Sequence, residues 1–124
     1  MAGLTFDTGA LISLERRRHR MRRVLAIAIA DVVRVTVPVA VVAEWWRKRT
    51  DLAEEILAAV DVEPMDDLIA KRAGEAQAAV RGATTVDAIV MASAARRGDV
   101  VYTADFADLS RLQRHFPSVR VLAV

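Results

Sequence analysis

Hydrophobic positions along the chain follow two alternating patterns. Short apolar or β-branched runs of three to six residues are separated by longer stretches in which apolar residues recur every three or four positions. The first pattern suits buried strands and the second suits helices packed on a sheet; their alternation is that of βα units on a parallel sheet. "LTF" (4–6), "RVTV" (34–37), "VDVE" (60–63), "DVVYT" (99–103) and "VRVLAV" (119–124) predict strands. Helices are expected over 8–17, 20–31, 39–49, 51–60, 65–80, 84–97 and 105–116. Pro38 stands near the first turn of the third, where its missing N–H costs little. Asp51 is a plausible cap for the fourth, and Thr84 and Gly98 bracket the sixth. The expected fold is a single α/β domain over 1–124, with an about five-stranded, mainly parallel sheet flanked by helices.

Composition narrows the chemistry. With 54% apolar and 27% charged residues, the 124-residue chain has the make-up of one folded domain. It has no cysteine, which excludes disulfides, thiolate nucleophiles and Cys-based zinc sites. The two histidines, His19 and His115, are too far apart for a local metal motif and read as surface or packing residues. The apolar stretch 24–43 is interrupted by Asp31 and Arg34, each costing roughly 2.5 to 3.5 kcal/mol near a bilayer centre, and by Pro38. It reads as helix, turn and strand instead of a membrane span, and the protein is expected to be cytoplasmic.

Four acids draw attention. Asp7 follows the first strand and Asp105 the fourth, so both belong to the rim where open parallel sheets bind ligands. Each can equally be a helix cap, and Asp87, three residues after Thr84, can complete a capping box. Glu44 fits that reading poorly. It lies beyond the first turn of an apolar helix, where an ionised carboxylate is costly unless paired or bound to a metal; Arg47 or Lys48 is the available salt-bridge partner. If all four converge, their repulsion calls for a divalent cation, and oxygen-only ligands select Mg²⁺ or Mn²⁺ over zinc. Such a site hydrolyses phosphodiesters.

With these motifs the chain resembles a PIN-domain ribonuclease, most of all the VapC-type toxins of bacterial toxin–antitoxin modules. "FDTGALI", "PVAVVAEWWR", "TTVDAIVMASA" and "VVYTADFADLSRL" occur in the family's order and approximate spacing. The resemblance implies a PIN-like fold and an acidic quartet, Asp7, Glu44, Asp87 and Asp105, that holds Mg²⁺ or Mn²⁺, with Asp7 and Asp105 closest to the principal metal. Thr8, Thr103 and Asp108 match polar positions that assist the site. Gly9 stands where the family often has Ser or Asn and receives no role. The implied activity is endoribonucleolytic, a metal-activated water attacking an RNA phosphodiester to leave a 5′-phosphate and a 3′-hydroxyl. The competing reading is a non-catalytic PIN-like module that binds RNA or protein.

Charge bears on partners. The formal net charge is +2, but setting the quartet aside leaves 18 basic residues against 12 acidic ones. Arg16, Arg17, Arg18, Arg20, Arg22 and Arg23 form a dense cluster suited to RNA phosphates, or else a solvated helix turn in an arginine-rich chain. One of Trp45 and Trp46 is expected in the core, leaving the other for a base or a partner helix. The helix containing "VLAIAIADVV" offers few polar positions, so a second chain is expected to cover part of it. The resemblance implies a cognate antitoxin in a hydrophobic groove and a homodimer.

Overall fold

The computed structural model describes residues 2–124. The chain alternates as β1 (Leu4–Phe6), α1 (Thr8–Glu15), α2 (His19–Ala30), β2 (Val35–Pro38), α3 (Val39–Trp45), α4 (Asp51–Ala58), β3 (Asp61–Glu63), α5 (Asp67–Ala79), α6 (Thr85–Arg97), β4 (Val100–Thr103), α7 (Phe106–Leu112) and β5 (Arg120–Ala123). All strand pairs are parallel, in the order β3-β2-β1-β4-β5. The chain first builds outward from β1 through β2 to β3, then returns to place β4 against the other side of β1. The strand order therefore reverses between β1 and β4, where an open α/β sheet forms its ligand crevice.

The pleat divides the two faces. Leu4 points toward Val24 and Ala28 of α2, whereas the Thr5 hydroxyl meets Arg97 of α6. The core comprises Phe6 and Leu11 with Met91, Val101, Leu109 and Leu112, all fully buried. Of the two tryptophans, Trp45 is buried and Trp46 half-buried, and their rings meet edge to face with centroids 6.1 Å apart. No described helix is long and apolar enough to cross a membrane.

Several boundaries differ from expectation for identifiable reasons. Helix α3 stops at Trp45, and Trp46 is already extended, so Arg47 and Lys48 lie outside it. Thr50, not Asp51, caps α4, its Oγ1 accepting from Ala53 N at 3.0 Å. Asp51 then adds a charge to the first turn, where the helix dipole favours it. Thr84 caps α6 and Gly98 ends it at φ 70°, as the sequence implies.

Val32, after α2, has φ 54° and is 91% exposed. A β-branched residue is strained in that left-handed region, and no burial offsets the cost. Val32→Asn is expected to raise stability by about 1 kcal/mol, read as the shift in the urea midpoint at unchanged slope.

Beyond the strand tips lies a second polar assembly, buried within the fold. Arg97, at the end of α6, pairs with Glu63 of β3 and with Asp99 at 2.8 Å, and donates to Ser93 and Thr5 at 3.0 and 3.2 Å. Asp99 also accepts from Gly3 N at 3.0 Å and the Thr5 hydroxyl at 2.8 Å. This network ties β1, β3 and the start of β4 to α6.

Candidate active site

Asp7 leaves β1 and enters α1 as its N-cap, with Oδ1 accepting from Ala10 N at 2.9 Å. The capping role is real, and it fixes the carboxylate at the carboxyl end of a central strand. Burial pushes the Asp7 carboxyl above its ordinary pKa, and the charge of Asp105 adds to this against the hydrogen bonds from Thr103 and Ala10. Asp105 occupies the N-cap position of α7 but makes no side-chain capping bond. Its backbone N–H instead donates to Thr103 Oγ1 at 2.8 Å. The single Thr103 hydroxyl, 0% exposed, thus spans both acids, accepting from the Asp105 backbone and donating to Asp7.

Asp87 faces the same space from the first turn of α6. Its pKa is raised to about 6, chiefly by burial and then by Asp105, Asp7 and Asp108, against a lowering bond from Thr84. Asp7, Asp87 and Asp105 are thus near enough for charge to act between them, and Asp108 acts on Asp87 as well. Asp108 is also paired with Arg111 at 2.9 Å.

Glu44 requires a correction. It is exposed, not on a buried helix face: Val41 and Trp45 take the buried positions of α3 and turn Glu44 outward. Neither Arg47 nor Lys48 pairs with it among the described residues, since α3 ends before either. The Thr8 hydroxyl donates to Glu44 Oε1 instead, joining Glu44 to the residue next to Asp7.

Among the described residues, no three or more histidine, aspartate or glutamate side chains stand together closely enough to hold a metal ion. The donor chemistry nevertheless fits a hard divalent cation. Asp7, Glu44, Asp87 and Asp105 offer only oxygen, and none forms an ion pair among the described residues. Like charges left without a counter-charge raise a carboxyl's pKa: Asp105 acts so on Asp7, and Asp105, Asp7 and Asp108 on Asp87, in both cases after the larger effect of burial.

The raised Asp87 pKa has a definite sign. Protonated Asp87 favours the folded chain, a contribution present below about pH 4 and lost as pH rises through about 6. After solvent screening it amounts to about 1–2 kcal/mol. A cation needs the ionised form, so the Tm gain from Mg²⁺ is expected to be small at pH 5 and full by pH 7.5, with its midpoint near 6, measured by thermal melts with cation and with EDTA.

Gly9 has a steric reason. A Cβ there would lie 2.2 Å from the Cβ of Ala104, the residue between Thr103 and Asp105. The missing side chain lets α1 approach the β4–α7 turn and sets Asp7 against Asp105. Gly9→Ala is expected to cost about 1–3 kcal/mol and to weaken Mg²⁺ binding, read by melts and titration calorimetry.

A PIN domain model matches residues 4–114. The chain belongs to the PIN domain family. Among solved structures, the fold matches the DNA-bound VapBC of Salmonella typhimurium with a TM-score of 0.77 at 16% identity, covering 99% of this chain and 98% of that one. VapBC2 of Rickettsia felis, bound to a promoter DNA fragment, matches with a TM-score of 0.79 at 11% identity, covering 98% of each chain. A toxin–antitoxin complex from Klebsiella pneumoniae matches with a TM-score of 0.68 at 17% identity over 94% of this chain and 95% of that one. No curated protein matches the sequence significantly.

The arginine cluster divides in space. Arg16, Arg18 and Arg20 line a cavity of about 400 Å³ with His19 and Val124. Val124 N donates to Thr103 O at 2.9 Å, which ties one wall of this cavity to the strand that leads to Asp105. Arg17 and Arg22 instead border an apolar groove of about 320 Å³ lined by Leu14, Leu25, Ile29 and Ile56. Arg23 lines neither.

Proposed function

We propose that this PIN domain is a divalent-metal-dependent endoribonuclease acting as the toxin of a toxin–antitoxin pair in the cytoplasm. The observation that supports the reading is a set of carboxylates without ion-pair partners, Asp7, Asp87 and Asp105, whose charges act on one another near the point where the strand order reverses. Asp7, Asp87 and Asp105, completed by Glu44, are the residues that would hold Mg²⁺ or Mn²⁺. When bound, the cation supplies the charge that acidifies water and offsets the phosphate.

The chain's own groups supply the positioning. Thr103 fixes Asp7 relative to Asp105 through one hydroxyl. Thr8 holds Glu44 by Oε1, leaving Oε2 to orient a water. Arg16, Arg18 and Arg20 offer bidentate donors to RNA phosphates. The groove beside Arg17 and Arg22 fits an apolar helix of a cognate antitoxin carrying acidic flanks, which agrees with the matched complexes being described as VapBC and toxin–antitoxin pairs. A homodimer belongs to the same reading, and sedimentation of the purified chain tests it.

The function is tested by incubating purified protein with total RNA in Mg²⁺ or Mn²⁺, alongside Asp7→Asn, Glu44→Gln and an EDTA control. Cleavage leaving 5′-phosphates is expected in the wild type alone. Cleavage that survives both substitutions and EDTA overturns the reading, and a wild type that binds RNA without cutting it leaves a non-catalytic PIN-like module.

A further inference from the structure

The structure has a second cationic cavity, of about 410 Å³, lined by Arg81, Arg111, Arg114 and His115 with Ala79 and Val80. Arg111, Arg114 and His115 are neighbours in sequence, and the fold adds Arg81 from 30 residues earlier. Arg111 anchors the wall: Nη1 donates to Arg81 O at 2.8 Å and Nη2 pairs with Asp108 Oδ1 at 2.9 Å. Arg81 and Arg114 make no ion pair among the described residues. Two guanidiniums therefore stand unpaired at one concavity.

The cavity adjoins the acids along two routes. Arg81 lies three residues before Thr84, the cap of the helix that carries Asp87. Arg111 lies six residues after Asp105, roughly 9 Å along the helical axis, and its partner Asp108 faces Asp87. The cavity is thus built from the end of α5, the turn leading to α6, and the end of α7, the helix that follows Asp105.

We propose that the Arg81–Arg111–Arg114 cavity is a phosphate-binding subsite for single-stranded RNA, gripping the strand beside Asp108 and separately from Arg16, Arg18 and Arg20. The proposal rests on the endoribonuclease reading for its substrate. Arg81 and Arg114 contribute guanidinium forks to consecutive phosphates, and Arg111, already held by Asp108, keeps the wall in shape. Cation condensation on a single strand makes such contacts visible as salt dependence, with a slope of about −0.7 per phosphate.

The test is binding of a fluorescently labelled single-stranded RNA, by anisotropy in EDTA, across a series of salt concentrations. Arg81→Ala/Arg114→Ala is expected to weaken binding roughly tenfold and to flatten the slope of log K against log salt by about 1.4. Arg72→Ala/Arg120→Ala removes the same charge away from the cavity and is expected to leave the slope unchanged. In Mg²⁺, the cavity variant is expected to raise KM with kcat nearly unchanged. Equal losses in the two double variants, an unaltered slope, or RNA binding absent from the wild type overturns the subsite; the last outcome points to an acidic protein segment as its occupant. Failure of the wild type to cleave RNA refutes the nuclease reading separately, because the EDTA titration reports on the cavity without catalysis.

Discussion

Asp7→Asn is expected to reduce RNA cleavage by about three orders of magnitude while leaving the cation-free protein at least as stable as the wild type. The two effects have one origin. Asp7 is 3% exposed, and burial, reinforced by Asp105, disfavours its charge. Asparagine keeps an oxygen to accept from Ala10 N, so the α1 cap survives, and it removes a buried negative charge from the pair. In the proposed site the same change removes one of the central oxygen donors to the cation. Several kcal/mol of charge stabilisation then disappear from the reaction, about one decade in rate for each 1.4 kcal/mol. Melts in EDTA and in Mg²⁺ separate the two effects: the variant equals or exceeds the wild type in EDTA and gains little from Mg²⁺. A variant that unfolds in EDTA would give Asp7 a purely structural role.

Arg97→Ala is expected to destabilise the fold by about 3–5 kcal/mol, lowering Tm by some 10–20 °C. Its guanidinium is 15% exposed and contacts Glu63 and Asp99, themselves 12% and 2% exposed. Truncation leaves Asp99 with two hydrogen-bond donors, Gly3 N and the Thr5 hydroxyl, but no counter-charge. Because the network joins β1 and β3 to α6, its loss also loosens the strands that carry Asp7 and the helix that carries Asp87. Asp99→Asn added to Arg97→Ala is expected to recover part of the loss, since it removes the stranded charge. Urea denaturation of the single and double variants measures the coupling.

The sequence revealed features whose causes are local. The β1 strand, the Thr84 cap and the Gly98 stop each depend on a few adjacent residues, and all appear where expected. The parallel strand class followed from alternation, but the order β3-β2-β1-β4-β5 did not, because it depends on which way each crossover turns. Glu44 shows the same limit within one helix. Its apolar neighbours suggested a buried carboxylate, yet Val41 and Trp45 claim the buried face and a hydroxyl 36 residues away receives the glutamate. The Arg97 network was unreadable for a similar reason: beside the neighbouring Ser93 and Asp99, its partners Glu63 and Thr5 lie 34 and 92 residues away. Asp7 and Asp105 could be assigned to one rim because each follows a strand and parallel topology brings such ends together, whereas Asp87, a capping-box candidate by its residues, joined them only through the resemblance.

The proposed function depends on a divalent cation held by the strand-tip acids. Anomalous diffraction from crystals soaked in Mn²⁺ tests this most directly. A peak is expected within about 2.0–2.6 Å of carboxylate oxygens of both Asp7 and Asp105, absent from crystals of Asp7→Asn. No peak at saturating Mn²⁺, or a peak touching neither Asp7 nor Asp105, would contradict it.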